Sequence, residues 1–330
     1  MLRKYFLLIR APNLFTVPSN ILSGYFATTT PSNTDPQQLL ALIISSVLLY
    51  ASGIVLNDYF DVKVDKKERP GRPLASGSIA VRSALILAAS SITAANILTL
   101  FVGWTSFIVS CVLTSVIFGY NYRLKRNAIN NPLVMGTARF LNVILGGSSA
   151  LGVVPTMDMM LVFVGYCLFL YTAAISVLSR MEVSEAGKFS KKSYLIPIVL
   201  SFSNILLTVV SILIVGFFGY LYIAFIFNII IFLSIMSVTF FHLFTKLDGS
   251  RKLAGETQYR KFLKVNKDNA NDINRTNFSH EIQRTIKTLI LSIIVLDSVF
   301  LSGLVGIYAG LAVILLIIPA ILLGRRLYVT

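Results

Sequence analysis

The chain has 330 residues, of which 55% are hydrophobic and only 13% charged, with a mean hydropathy of +0.78. Soluble domains carry about twice that charge, so a soluble globular protein is excluded. The net charge of +15 therefore does not point to nucleic acid, and no nucleic-acid partner is expected. Apolar runs long enough to cross a bilayer recur from end to end. No linker divides them, so residues 1–330 read as a single all-α domain, a polytopic transmembrane helix bundle of nine to ten spans.

In chain order, spans are predicted at 13–30, 38–57, 81–101, 104–121, 133–152, 157–178, 193–215, 218–243, 286–303 and 305–324. Pro18 and Asn20 interrupt the first apolar run, which reads as a span rather than a cleaved leader. Of the 29 Lys and Arg residues, all but Arg139 fall in, or at the edge of, the termini and the connections after spans 2, 4, 6 and 8. Basic residues favour the cytoplasmic side, so both termini and every even-numbered connection are expected there. Ten spans put Arg325 and Arg326 on the same side as Arg3 and Lys4. Glycines at 303, 306 and 310 leave a re-entrant pair open for 286–324.

Span 2 runs into Asn57-Asp58-Tyr59-Phe60-Asp61-Val62-Lys63-Val64-Asp65. Continuing the helix stacks Asp58, Asp61 and Asp65 on one face. Stacked like charges repel, and a hard divalent cation with oxygen ligands, Mg²⁺, would relieve that repulsion. Lys63, Lys66, Lys67, Arg69 and Arg72 follow before Pro73-Leu74-Ala75-Ser76-Gly77, and guanidinium groups suit phosphate oxygens. Acids for metal beside bases for phosphate, at a membrane surface, suggest chemistry on a lipid diphosphate.

After span 4, Tyr120 and Tyr122 accompany Lys125 at the same mouth. Arg139 lies about two turns into span 5 from that side, close enough to face a diphosphate. An ionisable group within a span is costly and so suggestive; Asp297, mid-depth in span 9, is read as structural. The connection after span 6, Ser179-Arg180-Met181-Glu182-Val183-Ser184-Glu185, contains no aspartate. Glu182 and Glu185, at i and i+3, offer the same oxygen chemistry on a longer arm. Arg180 could replace a metal charge against diphosphate, with Lys191 and Lys192 following. Cys111 and Cys167 sit in apolar segments and have neither disulfide nor metal-ligand spacing.

Together these residues resemble the UbiA-type intramembrane prenyltransferases. The likeness rests on Asn57-Asp58-x-x-Asp61-x-x-x-Asp65 followed by Arg69-Pro70 and Arg72-Pro73-Leu74-Ala75-Ser76-Gly77. It extends to Arg10 and Asn13, to Tyr120-Asn121-Tyr122-Arg123-Leu124-Lys125, and to Arg139, Asn142 and Gly146, covering about residues 10–215. The resemblance implies that Asp58, Asp61 and Asp65 are Mg²⁺ ligands with Asn57 assisting, and that Asn13 lies in the substrate site. It implies further that Arg69, Arg72 and Lys125 neutralise an isoprenyl diphosphate donor, and that Lys192-Ser193 contacts phosphate. The family's second Asp-rich motif would fall at Ser176–Glu185, where Glu182 and Glu185 are the candidate metal ligands. Ser179-Arg180-x-Glu182 is similar to the EboC-like branch.

The reading that follows is Mg²⁺-dependent transfer of a prenyl group from an isoprenyl diphosphate to a lipophilic acceptor among membrane lipids. A non-catalytic relative that binds or moves a prenylated lipid is the alternative. Membrane phosphotransferases acting on CDP-alcohols also carry paired Asp motifs, but they need Gly-x-x-Ala-Arg after the second Asp. Here Asp61 is followed by Val62-Lys63-Val64.

Overall fold

In the computed structural model, which describes residues 2–127, 129–150, 159–183, 230–240 and 267–328, the chain is helical almost throughout. Helix α1 (Leu2–Leu8) leads through a 3-10 turn at Ala11–Phe15 into α2 (Thr16–Thr28). Then come α3 (Pro36–Glu68), α4 (Val81–Val102), α5 (Trp104–Tyr122), α6 (Asn130–Gly147) and α7 (Met159–Val183). An apolar helix α8 (Ile230–Phe240) precedes α9 (Lys267–Leu304), α10 (Ile307–Ile314) and α11 (Ile317–Tyr328). No strand occurs among the described residues.

Among the described residues, six segments are long and apolar enough to cross a membrane: Pro36–Glu68, Val81–Val102, Trp104–Tyr122, Met159–Arg180, Ile282–Leu304 and Ile307–Leu327. The chain is an integral membrane protein. Two of the expected spans, 193–215 and most of 218–243, lie outside the described residues. The last two expected spans, 286–303 and 305–324, are two helical segments of spanning length rather than the re-entrant pair left open, joined where Gly306 takes a φ of 129°, which glycine tolerates readily.

Helix α3 starts firmly: Asp35 Oδ1 accepts from the Gln37 and Gln38 amides at 2.9 and 3.2 Å, and Pro36 fills the first turn. Its 33 residues make a rod of about 50 Å, well beyond the ~30 Å of hydrocarbon in a bilayer. The acidic motif rides on the surplus turns. The connection 69–80 folds back over them. Ser76 N donates to Arg72 O at 2.9 Å and Ile79 N to Pro73 O at 3.2 Å. Leu74 and Ile79 are buried in a cluster with Leu8, Val55 and Leu56, and Gly77 supplies the left-handed corner (φ 70°).

Helix α2 was expected to run over 13–30 but begins only at Thr16. Arg10 takes a left-handed conformation (φ 48°) and Pro12 enters the 3-10 turn before it. Short as it is, α2 is the hub, packing on α3, α6, α7 and α9. A Cβ on Gly24 would strike the Val143 carbonyl, and one on Gly146 the Ile21 carbonyl. Bare glycine lets α2 and α6 approach backbone to backbone, as small residues do in membranes. The pairings 20 with 139, 24 with 143 and 28 with 147 show that the two helices run in the same direction. The fifth span, expected over 133–152, is helical only to Gly147.

Candidate functional site

The first acidic motif does not form a bare acidic face. Asp58, 3% exposed, accepts from Arg10 Nη2 at 3.0 Å and Arg72 Nη1 at 3.4 Å. The same Arg72 nitrogen donates to Asp65 Oδ2 at 2.6 Å. Asp61 Oδ1 pairs with Lys125 Nζ at 2.7 Å, and that amine also donates to Asn57 Oδ1 at 3.1 Å. Each expected acid thus has a cation against it, and the repulsion argued from their spacing is already relieved by protein charges. Arg72 comes from the loop just after the motif, whereas Arg10 and Lys125 arrive from segments distant in sequence, which helical spacing alone does not reveal.

Behind this lattice of charges lies a cavity of about 350 Å³, near the lower end for ligand sites. Arg10 and Asn13 line it from the 3-10 turn region, and Asn57, Tyr50 and Ser46 from α3. Helix α5 contributes Tyr120 and Asn121, α6 Arg139 and Asn142, and α7 Thr172, Ser176 and Ser179. Apolar side chains such as Ile286, Ile290 and Ile293 of α9 complete it. No His or Cys lines it among the described residues.

One residue not singled out from sequence ties the mouth together. Asn131 Nδ2 donates to Lys125 O at 3.0 Å and Tyr120 Oη at 3.4 Å, while its Oδ1 accepts from Ser176 Oγ at 2.6 Å. Arg180 closes the same corner, its Nη1 donating to Asn127 O at 2.7 Å. The end of α7, where the divergent second motif begins, is therefore fastened to the loop that carries Lys125.

The remaining candidates divide. Tyr120 lines the cavity, whereas Tyr122 is 62% exposed, its ring stacked on Phe118 at 6.2 Å and edge-on to Phe60 at 6.0 Å. Two residues apart on a helix, these tyrosines point to different faces, so Tyr122 is not part of the cavity. Arg69 is exposed at the end of α3, its amide bonded to Asp65 O at 2.8 Å. Arg139 lies at the inner end of the cavity, on Asn20 rather than on the acids. Asn20 Nδ2 passes on to Asp297 Oδ2 at 2.6 Å, which gives Asp297 the partner its sequence position left open. Glu182 is in the last turn of α7, and Glu185, Lys191 and Lys192 lie outside the described residues. Arg10 was legible only through the family resemblance, and Asn131, Ser176 and Asn20 only as polar residues set in or beside apolar runs.

A sequence profile described as the UbiA prenyltransferase family matches residues 17–267, about three-quarters of the chain. The protein belongs to the UbiA prenyltransferase family. It is 30% identical over 142 residues to a digeranylgeranylglyceryl phosphate synthase of Metallosphaera sedula, covering 43% of this chain and 50% of that one. The chain thus spans about half the length of that relative. A synthase of the same name from Methanococcus aeolicus is 27% identical over 279 residues, 79% of this chain and 93% of the relative. Two solved structures share the fold. One, described as a digeranylgeranylglyceryl phosphate synthase in membranes, has a TM-score of 0.57 at 20% identity over 92% of this chain and 98% of that one. The other, a UbiA homologue from Archaeoglobus fulgidus bound to GPP and Mg²⁺, has a TM-score of 0.51 at 16% identity over 94% and 99%.

Proposed function

We propose that this UbiA-family protein transfers a prenyl group, within the membrane, from an isoprenyl diphosphate to a lipophilic acceptor. The observation that carries the reading is the set of cations Arg10, Arg72 and Lys125, held on the carboxylates of Asp58, Asp61 and Asp65 at the mouth of a largely apolar cavity. Arg10, Arg72 and Lys125 turn from the carboxylates to the diphosphate oxygens, with Arg69 and Arg180 at the rim. The C1–O bond of the donor breaks, the diphosphate leaves with the electron pair, and the apolar walls keep water from the allylic cation. The acceptor's nucleophile then bonds to C1, and its proton passes to the departed diphosphate.

Mg²⁺ fits the donor chemistry of Asn57, Asp58, Asp61 and Asp65, which are hard oxygen ligands. Among the described residues no three acidic groups converge on one point, so Asn57, Asp58, Asp61 and Asp65 would supply only part of the ion's oxygen ligands. When bound, the ion neutralises charge on the leaving diphosphate. The relative named as bound to GPP and Mg²⁺ and the Glu182/Glu185 pair support the same assignment. Basic residues concentrated on one side support cytoplasmic termini and a cytoplasmic mouth.

One observation favours a second reading, a protein that binds or moves a prenylated lipid without turnover. Every carboxylate of the first motif is already paired with a cation. Diphosphate release from a panel of prenyl diphosphates, measured on the full chain across an Mg²⁺ titration, separates the two. Metal-dependent release is expected. Donor binding with no release under any condition would establish the second reading instead.

A further inference from the structure

Helix α1 packs at the end of the bundle that carries the mouth. Its Leu8 is fully buried, and Tyr5 and Ile9 are half-buried, in the cluster that also holds Leu56 and Tyr59 of α3. Its other side is open: Leu2 and Phe6, one turn apart, are 74% and 43% exposed, and Arg3 and Lys4 beside them are exposed as well. The last turn of α11 meets α1 there, with Arg3 Nη2 donating to Leu327 O at 3.5 Å, as basic side chains do at the carbonyls that end a helix. Arg325 and Arg326, in the same turn as Leu327, are exposed.

Two adjoining turns therefore carry four cations, and neither α1 nor α11 contains an acidic residue. Among the described residues none of the four forms an ion pair. The bases near the end of α3 differ, since Lys63, Lys66, Lys67 and Arg69 alternate with Asp61, Asp65 and Glu68. None of the four cations lines the cavity. On α11, Ile318, Ile321, Leu322 and Arg325 stand at i, i+3, i+4 and i+7, which is one stripe of a helix, and all four are exposed. An apolar stripe that ends in cations at the limit of a spanning segment matches an amphiphile with a negative head. A free phosphate would use the cations and leave the stripe idle.

We infer that the corner formed by α1 and the end of α11 binds an anionic phospholipid, its phosphate on Arg3, Lys4, Arg325 and Arg326 and its acyl chains along Ile318, Ile321 and Leu322. The site stands whether or not the cavity transfers prenyl groups.

The test is thermal unfolding of the full chain in uncharged detergent, titrated with phosphatidylglycerol, phosphatidylcholine or glycerol phosphate. A ligand that binds the folded state raises the midpoint by mass action. Phosphatidylglycerol is expected to act at about one-tenth the concentration of phosphatidylcholine or less, with glycerol phosphate inert there. Near a membrane surface each cation is worth about fivefold in affinity for anionic lipid. Arg325→Gln combined with Arg326→Gln should therefore raise the phosphatidylglycerol requirement about 25-fold, and Lys4→Gln alone about fivefold. Lys66→Gln combined with Lys67→Gln removes the same charge from the end of α3 and should leave the requirement close to the parent's. Phosphatidylcholine or glycerol phosphate acting as well as phosphatidylglycerol, or the two double variants shifting alike, overturns the inference. Should the arginine pair fail to fold, an unchanged requirement in Lys4→Gln overturns it equally.

Discussion

Asp58 and Asp61 are one helical turn apart on α3, yet their surroundings give them different consequences on substitution. Asp58 is buried under two arginines, and removing its charge strands those guanidinium groups in a partly closed site. Asp58→Asn should therefore cost about 3 kcal/mol of stability as well as turnover. Asp61 is about one-third exposed and holds Lys125, a setting worth less than about 1 kcal/mol. Asp61→Asn should unfold close to the parent temperature while prenyl transfer falls about a thousandfold, the rate equivalent of about 4 kcal/mol lost from the transition state. Unfolding midpoints and turnover measured on both variants check the split. The acids were legible because three of them at helical spacing are unusual at the end of an apolar run. The pairing of Arg10 with Asp58 and the place of Asn131 were not, since they come from contacts across 48 and 45 positions of sequence.

The helices show which parts of a membrane fold are open to reading. Helices α4 and α5 fall within a residue of their expected limits, because hydrocarbon thickness fixes their length. Helix α3 starts near its expected place but runs on to Glu68, past the expected end at 57. Helix α2 was legible only as a hydrophobic stretch, and its central place comes from contacts at Gly24 and Gly146 that no periodicity announces. Gly146→Ala puts a methyl group into the Ile21 carbonyl, so one backbone must give way. The expected loss is about 1–3 kcal/mol, seen as a lower unfolding midpoint in detergent.

At the scale of the whole molecule, the bundle and its family were legible from composition and one motif, whereas the charge pairing was not. Cysteines introduced at Asn33 and at Gly71, where nothing lies within 4 Å of an added Cβ, should react with impermeant reagent from opposite sides of sealed vesicles. Reaction of both from one side would overturn the orientation. The Asn20–Asp297 bond has a consequence in time rather than space. Its partners are 277 positions apart, and at 5–20 residues per second a ribosome needs roughly 15–55 s to make the second after the first. Throughout that interval Asn20, and Arg139 from the time it is made 119 positions later, must sit in the membrane without the carboxylate that completes them. A chain truncated after residue 280 should accordingly insert but be degraded faster than the full chain in a pulse-chase experiment. The last spans thus act as the quality check on the first.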